Sequence, residues 1–83
     1  MNIFFVYVIK SQEGLRYTGI TEDLELRLSQ HNNKSLSFWT KRGNNWKIIY
    51  KEKFNNKPDA LKREKWLKTG VGREFLKKIL GQK

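Results

Sequence analysis

The chain has 83 residues, the scale of one small domain, which buries only about 60% of its unfolded surface and so needs a well-chosen core. Three Trp, three Tyr and five Phe meet that need, and the lack of cysteine excludes disulfides and thiolate metal sites as staples. Eighteen Lys and Arg against eight Asp and Glu leave a formal net charge of +10, a field that favours polyanions, nucleic acid first among them.

The apolar opening "IFFVYVI" is too short to span a bilayer, and neither a basic leader nor a small-residue cleavage site frames it. It predicts a cytoplasmic protein of one domain over residues 1–83, with no membrane segment. Residues 3–10 are rich in β-branched and aromatic side chains and end at "SQEG", as expected of a central strand covered on both faces. Its hairpin partner is "LRYTGI", residues 15–20, closed by Gln12, Glu13 and Gly14 with Gly14 in the left-handed position. With Ser11 opposite Leu15, Tyr7 falls opposite Gly19 and Ile9 opposite Tyr17, so both tyrosines share a face as diagonal neighbours. Gly19 leaves the space beside Tyr17 open.

Thr21 can cap a helix with Glu22 and Asp23 in its first turn and Leu24 and Leu28 as its inward stripe. Arg27 and His31, four residues apart, share a face of that helix, which Asn32 and Asn33 end. The stretch "NNKSLSFWTKRGNN" then reads as a long basic loop and contact surface: Lys34, Lys41 and Arg42 suit phosphates, while Phe38 and Trp39 either stack on a base or seal the core. "WKIIYKEKF", residues 46–54, alternates as a third strand with Trp46, Ile48, Tyr50 and Phe54 on one face and Lys47, Lys51 and Lys53 on the other, interrupted by Ile49. Pro58 opens a helix over "PDALKREKWLK", and Gly70 and Gly72 separate it from a final helix with the stripe Phe75, Leu76, Ile79 and Leu80.

Glu64 is out of keeping with its helix. It shares a face with Ala60, Leu61 and Leu67, where a carboxylate costs desolvation free energy unless it is paired or holds a cation. Two readings stand: an ion pair, for instance with Lys68 one turn on, or a functional carboxylate.

In order, "VYV" at 6–8, "YTG" at 17–19, "LELRLSQHN" at 24–32 and "ALKREKWLK" at 60–68 resemble the GIY-YIG nuclease domain, in particular its small stand-alone bacterial members. The resemblance runs from Phe5 to about Leu80. It implies an α+β fold, a three-stranded antiparallel sheet flanked by helices, and metal-dependent hydrolysis of phosphodiesters in DNA. By that similarity Tyr7 and Tyr17 are the tyrosines of the two half-motifs, Arg27 the catalytic arginine, His31 the residue one helical turn later and Glu64 the metal-binding glutamate. The same family includes homing endonucleases, restriction enzymes and the incision subunit of nucleotide excision repair, a DNA-repair enzyme. There are departures: Val6 and Val8 flank Tyr7, Thr18 replaces an isoleucine, Ile20 stands where several active members carry lysine, and no asparagine follows Glu64.

A single carboxylate, without an Asp-x-Asp or His-Cys cluster, points to one Mg²⁺ or Mn²⁺ held by Glu64, waters and the substrate phosphate. Arg27 would clamp the scissile phosphate, and Tyr7 or Tyr17 would position or deprotonate the water, with His31 as proton acceptor or relay. The rival reading is a non-catalytic nucleic-acid-binding module that retains the fold.

Overall fold

The computed structural model describes residues 3–33 and 42–81. Lys34, Phe38, Trp39 and Lys41 lie outside the described residues. Six elements follow one another: β1 (Phe4–Lys10), β2 (Arg16–Thr21), α1 (Leu24–Asn32), β3 (Lys47–Phe54), α2 (Lys57–Leu67) and α3 (Gly70–Ile79). The strands form one antiparallel sheet of order β2-β1-β3, so the apolar first strand is the central one.

The hairpin forms in the expected register, with Tyr7 paired to Gly19 and Ile9 to Tyr17. Its loop closes through Ser11 N–H to Leu15 O at 2.9 Å and Gly14 N–H to Ser11 O at 3.0 Å. Gly14 has φ +96°, a conformation that a side chain would strain. The cap of α1 differs from expectation: Asp23 rather than Thr21 is the N-cap, its Oδ1 accepting from Leu26 N–H at 3.1 Å. Asp23 adds negative charge to its hydrogen bond at the positive end of the helix dipole, while the Thr21 hydroxyl accepts from Asp23 N–H.

β3 departs further from the simple alternation. Val8 pairs with Tyr50 but Ile9 pairs with Ile48, so Ile49 is the extra residue of a β-bulge. Past the bulge the faces exchange. Trp46 and Ile48 pack with Tyr7 and Ile9, whereas Ile49, Tyr50 and Phe54 pack with Val6 and Val8. The four residues expected on one face therefore divide between two.

Asn56 caps α2, accepting from Asp59 N–H at 2.9 Å, and Pro58 sits in the first turn where its missing N–H costs nothing. The two glycines expected to separate the last helices lie inside α3 instead. Thr69 Oγ1 caps it by accepting from Gly72 N–H at 3.1 Å. At Gly72 a Cβ would stand 2.1 Å from Trp66 O and 2.5 Å from Leu67 Cα, so only glycine lets α3 start against the end of α2.

Two apolar cores result, one on each side of β1. Val6, Val8, Ala60, Leu67 and Leu76 join the sheet to α2 and α3. Tyr7, Ile9 and Trp46, with Leu24 and Leu28, join it to α1. On the rim of the first core, Glu52 Oε1 and Oε2 accept from Arg63 Nε at 2.8 Å and Nη2 at 3.1 Å. That guanidinium lies over the rings of Trp66 and Phe75, at 4.5 and 5.0 Å.

Candidate active site

The hairpin register and one helical turn of α1 bring four of the predicted residues together on the α1 side of the sheet. Tyr7 Oη lies 2.7 Å from His31 Nε2, and Arg27 Nε donates to Tyr7 Oη at 3.4 Å. The Tyr17 ring lies 4.9 Å from the His31 ring and 6.3 Å from that of Tyr7, centroid to centroid. Gly19 does not leave an open space: a Cβ there would stand 2.6 Å from Tyr7 Oη and 2.9 Å from Tyr17 Cε2. Glycine is what allows the two tyrosines to close over the strand.

Burial sets the protonation of this group. Tyr7 and His31 are 2% and 1% exposed. Desolvation is the main cause that raises Tyr7 to about 12; the Arg27 hydrogen bond pulls against it, and the charges of Tyr17 and Glu64 add to it. His31 is held down to about 4, first by desolvation and then by the Arg27 charge. Arg27 itself is raised, chiefly by its bond to Tyr7. At neutral pH the phenol is therefore protonated and the imidazole neutral. With Arg27 Nε–H donating to Oη, we assign the phenolic proton to the bond with Nε2, which puts the imidazole proton on Nδ1. Arg27 also donates from Nη1 to Gln30 Oε1 at 3.0 Å, so its fork is braced from two sides.

Asn32, the last residue of α1, does what sequence reasoning missed. Its Oδ1 accepts from Trp46 N–H at 2.7 Å and its Nδ2 donates to Trp46 O at 3.2 Å. One side-chain amide thus pairs with a backbone as a strand would, pinning the end of α1 to the start of β3 and fixing where His31 points. A helix-ending asparagine in the sequence shows only the break. Arg42, predicted to contact phosphate, is exposed, next to Gly43 and the segment that Glu13 holds through two hydrogen bonds from Asn44.

Glu64 stands apart from the hydrogen-bonded four, on α2. Its side chain is 15% exposed, and Lys68 Nζ donates to Oε2 at 3.1 Å, the i, i+4 pair that the sequence raised as one of two readings. Its charge is nonetheless felt at the Tyr7 hydroxyl. Among the described residues no three His, Cys, Asp or Glu gather as ligands for a metal. A lone, mostly shielded carboxylate fits an oxygen-loving ion that keeps most of its water, such as Mg²⁺ or Mn²⁺, and does not fit a cation caged by protein groups.

Comparisons with known proteins identify the family and the fold. The family model described as the GIY-YIG catalytic domain matches residues 3–77. A UPF0213 protein of Staphylococcus saprophyticus is 37% identical over 79 residues, covering 95% of this chain and 96% of its own. One from Staphylococcus aureus is 34% identical over the same shares. The solution NMR structure of a UPF0213 protein from Bacillus halodurans has the same fold, with a TM-score of 0.58 at 23% identity, covering 96% of this chain and 87% of that one. With the matched region running through both tyrosines, Arg27, His31 and Glu64, the chain belongs to the GIY-YIG catalytic-domain family, alongside the small UPF0213 proteins.

Proposed function

We propose that the chain is a cytoplasmic endonuclease that hydrolyses phosphodiester bonds in DNA with one divalent metal ion. The observation that carries this reading is the convergence of Arg27 and the two tyrosines on one face of the sheet. Hydrolysis needs charge neutralised on the phosphate and a water held in line with the leaving oxygen. Glu64 would hold Mg²⁺ or Mn²⁺, which would supply Lewis-acid charge at the phosphate.

The remaining work falls to the chain's own groups. Arg27, braced by Gln30 and Tyr7, offers its fork to the scissile phosphate. Tyr17 is less buried than Tyr7 and is the tyrosine that orients the water. Tyr7 and His31 act as positioning residues: a proton would have to pass from an acid of pKa about 12 to a base of about 4, so their hydrogen bond holds Arg27 and the Tyr17 ring in place and does not ionise. The net charge of +10 supports a DNA substrate, with Lys34, Lys41 and Arg42 as backbone contacts.

The test is cleavage of labelled duplex, single-stranded and branched DNA with Mg²⁺ or Mn²⁺, comparing the wild type with Glu64→Gln and Arg27→Ala once each is shown to fold. Each variant should lose about 10²–10³-fold in rate. One observation favours a non-catalytic nucleic-acid-binding module: Lys68 already occupies the Glu64 carboxylate. Salt-sensitive DNA binding without cleavage by the wild type on any substrate would decide for that module.

A further inference from the structure

β2 turns Arg16 and Thr18 to the side of the sheet opposite Tyr7, since they pair with Lys10 and Val8. There a recess of about 160 Å³ opens between β2 and the corner of α2 and α3, room for a phosphate group and a few waters at about 30 Å³ each. Its floor is apolar, formed by Val8, Leu67 and Leu76, and Arg16, Lys68 and Arg73 stand around it. Among the described residues, no carboxylate lines it.

The placement of these cations is unfavourable as it stands. Arg16 Nη1 is buried and has no hydrogen-bond partner among the described residues, an uncompensated donor of the kind that folded chains rarely keep without a ligand. Arg73 lies early in α3, where the helix dipole repels a cation and no acidic residue of the first turn offsets it. Lys68 has Glu64 as its partner, one turn back along α2, so nothing lining the recess neutralises the three charges together.

The recess adjoins the candidate active site. Tyr17 lines it and also carries the ring packed on His31, and Lys68 links it to Glu64. We propose that Arg16, Lys68 and Arg73 form a second phosphate subsite, which grips a backbone phosphate of the nucleic-acid strand next to the one presented to Arg27. A strand held there wraps the exposed edge of β2. It also offers Lys68 an anion to bind in place of Glu64, freeing that carboxylate. The proposal rests on the nucleic-acid reading above.

The test measures metal-free binding of a short fluorescent oligonucleotide across a range of salt, for the wild type, Arg16→Gln, Arg73→Gln and the control Lys78→Gln, which removes one positive charge outside the recess. Arg73 is exposed, so its variant reports even if Arg16→Gln fails to fold. Each recess variant should weaken binding about tenfold and flatten the logarithmic salt slope by about one, while the control stays within about twofold. In parallel, amide chemical shifts of the labelled chain are followed with inorganic phosphate, then with oligonucleotide added. Displacement of phosphate from Thr18 and Gly70–Gly72 by the oligonucleotide supports the subsite. Recess variants that behave as Lys78→Gln does, or phosphate that the oligonucleotide fails to displace, overturn it; the latter assigns the recess to a free phosphate ion. Cleavage by the wild type with no difference among the variants sinks the subsite alone. A difference in binding with no cleavage anywhere sinks hydrolysis and leaves the subsite standing.

Discussion

Tyr7 and Val8 are neighbours in the central strand and equally hidden, at 2% and 0% exposure, yet they face opposite chemistries. Val8 looks into a core whose buried members are aliphatic, with aromatic rings packed around them. Tyr7 looks into a layer where a phenol, an imidazole and a guanidinium must each find a partner in one geometry. The first side is suited to holding the domain together. The second gives up part of that stability to bury polar groups, which evolution rarely does without a use for them.

Three changes would break or sharpen this contrast. The largest effect is expected from Leu67→Ala, a fully buried side chain at 1% exposure, which should lower unfolding free energy by about 2–5 kcal/mol in urea titrations. Leu67 also floors the recess beside Arg16, so DNA binding per folded molecule should weaken as well, and unchanged binding would separate the packing of this side from the recess. Next comes Gly19→Ala. Its Cβ would meet Tyr7 Oη and Tyr17 Cε2 within 3 Å, so a cost of about 1–3 kcal/mol in thermal denaturation should come with loss of cleavage far beyond it. Wild-type cleavage by that variant would remove the tyrosine pair from the site.

The third change is in pH, and it is spread over several pH units. Because His31 is held at about 4 against its usual 6.5, the unfolded chain binds the extra proton between those values, and stability falls as pH drops from 6.5 toward 4. The loss is at most about 3 kcal/mol, and His31→Gln should flatten it. Tyr7 acts in the opposite sense: raised to about 12, it keeps its proton when the unfolded phenol loses one, so stability also falls as pH climbs above 10. Urea midpoints measured from pH 4 to 11 should trace both limbs, and an acid limb unchanged in His31→Gln would show that the imidazole is not desolvated.

Much of this was legible in the sequence because it depends on local chemistry. The loop Gln12–Gly14 admits one register, and that register alone sets Tyr7 opposite Gly19 and Tyr17 beside them. Arg27 and His31 follow from helical spacing. What could not be read were features decided between elements distant along the chain. Glu64 appeared as a misfit on its helix, but only the fold shows it both paired with Lys68 and electrically coupled to Tyr7. The glycines of α3 looked like a break because their intrinsic preference is to end helices; the close approach of α2 at Gly72 overrides it. Arg16 carried no signal at all, since a buried Nη1 without a partner among the described residues is visible only when its surroundings are known.

The extra residue at Ile49 has a consequence for how this domain tolerates insertions and deletions. Because β3 changes sides there, its first half is committed to α1 and its second half to α2 and α3. Losing Ile49 itself would restore a regular ladder, with Ile48 still opposite Ile9 and Tyr50 still opposite Val8. Losing a residue between Trp46 and Ile48 would instead turn Trp46 away from α1 and shift the backbone that Asn32 grips by one position. The irregularity is thus a point in β3 where the chain can shorten by one residue and leave both layers facing as they do.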